Sequence, residues 1–319
     1  MSILVTGGAG FVGSHLVETL VRGRANRIVA LDNFNDYYDP RLKRANAAAL
    51  SAHGQVVVVE GDFRDAALVS ELLKKYQVRA ICHLGASPGV PASLVHPLET
   101  TENNVQGTLM LLEAARKHHV ERFLFASSST VYGRGAAAPF VEDAPLGIPA
   151  SPYGASKRAG ELLGLTYWQL HGLPFVSLRF FNVYGPRLRP ELALAVFTRK
   201  ILEGSPLPLF GDGSVLRDFT HVSDICRGIV TALSADGIDG QCLNLGSDRP
   251  IAMRRLIDLI EQAAGKKATI DFRPPRGEDM PFTHANLDKS RRLLGYEPTV
   301  PIEQGVAEYV EWMRGMLSK

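Results

Sequence analysis

The sequence predicts an α/β protein, a doubly wound parallel sheet with a second, smaller lobe, and three observations carry that prediction. Short β-branched runs alternate with longer stretches of helical periodicity. The runs are apolar throughout, as in Gln55-Val-Val-Val-Val-Glu60, which suits a sheet covered on both faces. Beyond about residue 183 the alternation breaks up among prolines.

The strand candidates are residues 3–6, 27–31, 55–60, 80–84, 122–126 and 175–179. Between them, residues 13–22, 66–76, 104–118 and 153–171 space apolar side chains three and four apart, as a helix covering a sheet face requires. Pro186, Pro190, Pro206 and Pro208, then Pro274, Pro275, Pro281, Pro298 and Pro301, cut the remainder into short pieces. The expected division is one domain over residues 1–182 and a second lobe mainly over 183–319. Residues 211–248, with a strand candidate at 241–245, are expected to return to the main sheet.

A chain of 319 residues buries roughly three quarters of its unfolded surface, so it needs neither disulfides nor a structural metal. With 45% apolar and 21% charged residues it is not a disordered chain. Thirty-five basic and 33 acidic side chains leave a formal charge of +2 with no Lys/Arg stripe, which argues against nucleic acid as a partner. Cys82, Cys226 and Cys242 are odd in number and far apart, without metal-ligand spacing, and read as reduced thiols with no metal site. Met1 leads straight into an apolar stretch and a glycine turn, and no run of 18 apolar residues occurs. The expectation is a cytoplasmic protein with no membrane partner.

Thr6-Gly7-Gly8-Ala9-Gly10-Phe11-Val12-Gly13 follows a strand and opens a helix, the context of a dinucleotide fingerprint. Gly7 permits the tight turn, Gly10 lets backbone approach a pyrophosphate, and Gly13 lets the helix pack close on the strand. The helix N-terminus offers unpaired N–H groups and a positive dipole. Asp32, nineteen residues beyond Gly13, ends the second strand candidate, where a carboxylate accepts from an adenosine ribose 2′-hydroxyl and repels a 2′-phosphate. NAD is therefore favoured over NADP. Asp62, past the third strand, suits either the adenine pocket or a helix N-cap.

Tyr153-Gly-Ala-Ser-Lys157 sets a phenol and an ammonium on one face of a helix start. A phenol titrating near pH 10 acts as a base near pH 7 only if its phenolate is stabilised by about three units, roughly 4 kcal/mol. A neighbouring ammonium and a cationic nicotinamide together supply that. Upstream, Phe125-Ala-Ser-Ser-Ser-Thr-Val-Tyr132-Gly is a strand ending in hydroxyls at the carboxyl edge of the sheet, where open α/β sheets bind ligands. His83 and the His118/His119 pair read as a core residue and a helix end, Trp168 and Trp312 as packing, and His221 carries no assigned role.

With the later Arg217-Asp-Phe-Thr-His221 and Arg276-Gly-Glu-Asp279, these motifs resemble the extended short-chain dehydrogenase/reductases of the nucleotide-sugar epimerase/dehydratase group, over nearly the whole chain. The resemblance implies a Rossmann domain with a substrate-binding lobe for a UDP-sugar and a tightly bound, recycled NAD. It makes Tyr153 the base, has Lys157 hold the nicotinamide ribose and lower the Tyr153 pKa, and has Ser128 bridge the sugar hydroxyl and Tyr153. Ser127, Ser129 and Thr130 line the same wall. Around NAD it implies Gly7, Gly10, Phe11, Val12, Gly13, Asp32, Asn33, Asp62, Phe63, Leu84, Ala86 and Asn104. Arg217 and Arg276 fall on the diphosphate, Asp279 on the uridine ribose, and Leu207 and Phe210 beside the uracil. It further implies a homodimer through residues 104–118 and 153–171.

Dehydratases of the group carry an Asp-Glu pair before Val-Tyr-Gly, and the decarboxylase that makes UDP-xylose carries a Glu directly before it. Here Ser129 and Thr130 stand there, which implies 4-epimerisation. The segments 31–43 and 181–193 resemble the UDP-glucuronate 4-epimerases in particular. Arg189, beside Arg187, matches the arginine that meets the uronate, and its forked guanidinium suits a carboxylate. Asn182 replaces the usual Thr and Pro91 the usual Arg, and Asn182 is the residue of glucose-type epimerases. UDP-glucose or UDP-N-acetylglucosamine 4-epimerisation therefore stays open as the alternative, ahead of a dehydratase, a decarboxylase or a non-catalytic NAD sensor.

Overall fold

The structure is a computed structural model that describes residues 1–275 and 282–318. From the N-terminus, β1 (Ser2–Thr6), β2 (Arg27–Asp32), β3 (Val56–Glu60), β4 (Ala80–His83), β5 (Arg122–Ser128) and β6 (Phe175–Phe180) are consecutive members of one parallel sheet. The second half contributes β7 (Asn182–Tyr184), β8 (Leu207–Phe210), β9 (Leu216–Arg217), β10 (Phe219–His221), β11 (Gln241–Leu245), β12 (Ile251–Ala252) and β13 (Ile270–Arg273). Of these, β11 pairs with β6 in parallel and completes a seven-stranded sheet in the order β11-β6-β5-β4-β1-β2-β3. Both faces are covered: Leu4, Val5, Ile81 and Cys82 have no solvent exposure, and apolar clusters lie on either side.

The helices are α1 (Phe11–Arg22), α2 (Pro40–Ser51), α3 (Ala66–Lys75), α4 (Val90–Val95), α5 (Pro97–Thr101), α6 (Gly107–Lys117), α7 (Pro152–His171), α8 (Ala193–Glu203), α9 (Val222–Ser234), α10 (Met253–Ala264), α11 (Asp288–Leu294) and α12 (Ile302–Leu317). Asp39, Asp65 and Ser151 accept from the first-turn N–H groups of α2, α3 and α7, and proline occupies the first turn of α2 and α7. The helix expected over 104–118 begins instead at Gly107, because Glu102–Gln106 form a π-turn that leaves Asn103 and Asn104 buried. In the second lobe β7 pairs with β10, β8 with β13 and β9 with β12, while α8, α10 and α12 pack together. Helix α9 returns to pack on α1.

Strand order reverses between β1 and β4, so the loops leaving their carboxyl ends diverge and open a crevice, the usual ligand position in such sheets. Among the described residues no helix is long and apolar enough to cross a membrane.

Candidate active site

A cavity of about 610 Å³ occupies that crevice, floored by the glycine turn and walled by the ends of β2, β4 and β5 and by loops of the second lobe. Gly7 has φ +66°, and a Cβ there would stand 3.0 Å from the backbone of Gly85. A Cβ on Gly13 would stand 2.0 Å from the Gly7 carbonyl oxygen, so only glycine lets α1 come this close. Gly7, Gly10, Phe11, Val12 and Gly13 all line the cavity, and the N-terminus of α1 opens onto it. Asp32 accepts from Ala9 N at 3.1 Å and Phe34 N at 2.9 Å, which fixes its carboxylate at the cavity wall. Asn33, Phe63, Leu84 and Ala86 also line it. A cradle without room for Cβ atoms, at a helix N-terminus and with an oriented carboxylate, fits NAD.

Asp62 lies behind this wall. Burial raises its pKa, but hydrogen bonds from Arg64 and Asn33 outweigh that and hold the carboxyl below its ordinary value. The N-cap of α3 is Asp65, not Asp62. Asn104 likewise stands one layer back: it accepts from Ser87 N at 2.7 Å and donates to Ser87 O at 2.9 Å and Ser156 Oγ at 3.0 Å. It thereby ties the loop after β4 to α7, while its neighbour Asn103 lines the cavity.

Tyr153 and Lys157 occupy the first two turns of α7 and both face the cavity. Ser128 ends β5 and accepts from Thr130 N at 3.2 Å and Thr130 Oγ1 at 3.0 Å, which leaves its own proton for the Tyr153 oxygen. Lys157 is 4% exposed and donates to Ala126 O at 2.7 Å. Burial pushes its amine down to about 7, against the opposing pull of Glu161. The Tyr153 phenol is raised by burial, with Arg189 and Ser128 drawing it partly back. Arg189 rather than Lys157 is the protein charge that draws the phenol down, and burial disfavours the charged form of both Tyr153 and Lys157. The ammonium lies 6.0 Å from the phenol ring centroid.

Ser127, Ser129 and Thr130 line the cavity, though Ser127 Oγ donates at 2.6 Å to the buried Glu161. Across from them stand Asn182, which accepts from Thr283 Oγ1 at 3.2 Å, and Arg189, whose Nη1 lies 3.1 Å from Glu191 Oε1. Arg187 points elsewhere: at φ +65° its guanidinium reaches Glu18 of α1 at 2.5 Å, away from the cavity. Leu207 is fully buried, and its strand neighbours Leu209 and Phe210 reach the cavity. Arg217 lines it too, while Arg276 and Asp279 lie outside the described residues.

The cavity also holds residues to which sequence reasoning gave no role: Tyr37, Tyr38, Lys43, Asn103 and Glu191. The buried Lys43 donates to Asn35 O at 2.9 Å and Asn35 Oδ1 at 2.5 Å, and its amine is lowered by burial. Among the described residues no group of His, Cys, Asp or Glu side chains converges as a metal site needs.

A phenol, a serine and a lysine set against a dinucleotide cradle define a site of the short-chain dehydrogenase/reductase class. Residues 3–246 match the NAD dependent epimerase/dehydratase family. The chain is 40% identical over 331 residues to UDP-glucuronate 4-epimerase 3 of Arabidopsis thaliana, covering 98% of this chain and 76% of that protein. Among solved structures, the UDP-glucuronic acid 4-epimerase of Bacillus cereus in complex with UDP-glucuronic acid and NAD superposes with a TM-score of 0.94 at 35% identity, covering 99% of this chain and all of that one. A dTDP-glucose 4,6-dehydratase of Streptomyces venezuelae, solved with NAD, reaches 0.92 at 34% identity over 99% and 97%. This chain belongs to the NAD dependent epimerase/dehydratase family.

Proposed function

We propose that the protein interconverts UDP-glucuronate and UDP-galacturonate: oxidation at C4 with a tightly bound NAD, rotation of the 4-keto sugar, and return of the hydride to its other face. The observation that carries this reading is that Arg189 shares one cavity with Tyr153, Ser128 and Lys157, while Ser129 and Thr130 fill the wall where an eliminating enzyme needs acids. Among the described residues, the carboxylates lining the cavity are Asp32 and Glu191, neither on that wall. The name of the Arabidopsis relative and the ligand of the Bacillus structure support the same substrate.

When bound, oxidised NAD supplies the hydride acceptor and a positive charge that favours the phenolate. Tyr153 removes the proton of the C4 hydroxyl, and Ser128, held by Thr130, orients that hydroxyl and stabilises the phenolate by donation. Lys157 is anchored to Ala126 O beside the phenol. Once C4 is a ketone, the C6 carboxylate is β to it and prone to leave as CO₂. Arg189, with the hydroxyls near Thr130, holds it out of the plane that favours that loss, and a guanidinium suits the task because it binds both oxygens.

Asn182 at the cavity wall and Pro91 in α4 favour a second reading, a neutral UDP-hexose as the preferred substrate. Arg189→Ala separates the two. On the uronate reading it raises KM for UDP-glucuronate far more than for UDP-glucose, and equal effects count against it.

The same reading includes a homodimer. Leu109 and Met110 on α6 and Leu162 and Leu170 on α7 are exposed, with Leu94, Val95 and Leu98 nearby in sequence, and α6 packs beside α7. Such an apolar face on paired helices suits a four-helix contact with a second copy. The three cysteines are unpaired, which supports a reducing, cytoplasmic setting.

A further inference from the structure

We infer that Glu191 is an internal stand-in for the substrate's carboxylate: it occupies Arg189, and an anionic sugar gains that guanidinium only by displacing it. The inference rests on the uronate reading above and adds a specificity-determining residue to it.

Arg189 and Glu191 sit two residues apart in the loop before α8, and both line the cavity. Their atoms approach to 3.1 Å, yet Arg189 Nη1 is buried without a well-formed hydrogen bond. The contact is therefore a charge pairing and not the bidentate fork that a guanidinium makes with a well-placed carboxylate. A substrate carboxylate entering the cavity offers that better geometry. Glu191 is able to yield its place, since its side chain is 39% exposed against 18% for Arg189.

Tyr37 gives the pair a second anchor from the other side of the crevice. Burial raises its phenol, the neighbouring Arg189 draws it partly back and the Glu191 carboxylate raises it further, and the Arg189 guanidinium lies over its ring at 5.7 Å. The hydroxyl also approaches Gly89, whose φ is +98° and where a Cβ would stand 2.7 Å from it. Tyr37, Arg189 and Glu191 thus form a latch joining the loop after β2 to the loop before α8. While Glu191 is seated, the substrate end of the cavity presents a neutralised arginine, which tolerates an uncharged sugar. The outward swing of Glu191 exposes the cation to a uronate. Specificity is set by the difference between these two states.

The test uses the purified holoprotein, with Kd for UDP-glucuronate and for UDP-glucose measured calorimetrically on wild type, Glu191→Gln and Tyr37→Phe, alongside turnover of both sugars. Removing the competing charge raises the preference for UDP-glucuronate over UDP-glucose by roughly threefold to fivefold, the range of a partly exposed ion pair. Tyr37→Phe moves it the same way by less, and serves alone if Glu191→Gln does not fold. If Glu191 merely orients Arg189, both substitutions lower the preference, and that result, or no change, overturns the inference while wild-type turnover of UDP-glucuronate leaves the uronate reading standing. Tighter uronate binding in Glu191→Gln without uronate turnover by wild type keeps the latch and removes the proposed reaction. Neither effect removes both.

Discussion

Glu161 of α7 and Arg179 of β6 face each other inside the protein through two hydrogen bonds of 2.9 Å, each side chain only 4% exposed. Glu161 lies one turn beyond Lys157 and also accepts from Ser127 Oγ and Ser177 Oγ. Arg179 donates onward to the Glu142 carbonyl and lies over the Tyr132 ring. A buried pair of this kind is weak evidence for stability as a whole, but removing one partner strands the other charge. It fixes the face that α7 turns toward the end of β5, and hence where Tyr153 and Lys157 stand relative to Ser128.

Arg179→Met leaves the Glu161 carboxylate buried and unpaired, with an expected loss of about 3–5 kcal/mol. Adding Glu161→Gln recovers a large part of it, because the stranded charge is gone. Urea denaturation of the single and double variants checks this, and additive losses would contradict it.

Lys157 carries the opposite expectation. Its folded value of about 7 lies below the ordinary 10.5, so between those pH values the unfolded chain binds a proton that the folded protein does not. The contribution of this amine to stability therefore rises with pH through that window and is least favourable at and below pH 7. Lys157→Met, in cofactor-free protein, stabilises by roughly 2–4 kcal/mol at pH 7 and by less near pH 10, while abolishing turnover. Urea midpoints at the two pH values decide it, and a gain that grows with pH would be inconsistent with a buried ammonium.

The apolar face on α6 and α7 has its own consequence. Leu162 is 60% exposed in the single chain, and Leu162→Glu sets a charge at the centre of the proposed contact. Sedimentation velocity is expected to show a dimer for the wild type and a monomer for the variant, with far-UV circular dichroism unchanged. A wild type that sediments as a monomer would remove the dimer from the account.

Much of the main sheet was legible because its strands are short, apolar and spaced by amphipathic helices, and the glycine turn lies between β1 and α1 as its spacing demands. Helix α2 (Pro40–Ser51) was not, since its second half, residues 45–50, is a small Ala-rich patch with little amphipathic contrast. The π-turn before α6 escaped because an extra backbone residue leaves no mark in helical periodicity. In the site, Asp32 and the Tyr153/Lys157 pair stand out by residue type and spacing, Ser128 and Arg189 only through the family resemblance, and all of them line the cavity. Residues whose partner is distant in the chain were not legible. Arg187 turns to Glu18, Glu161 finds Arg179, and His221 Nε2 lies 3.5 Å from Glu308 of α12. Single-residue spacing carries no signal for such pairings, which arise only once the elements pack.

The proposed reaction makes its sharpest claim about the fate of the hydride, and one incubation tests it. Purified protein is mixed with UDP-glucuronate and no added coenzyme, and the products are separated against UDP-galacturonate and UDP-xylose standards. Formation of UDP-galacturonate without accumulation of NADH is the expected result, since a hydride returned to the same sugar consumes no cofactor. No conversion of UDP-glucuronate even with NAD supplied, while UDP-glucose yields UDP-galactose, would contradict the uronate assignment and make Asn182 the better guide to the substrate.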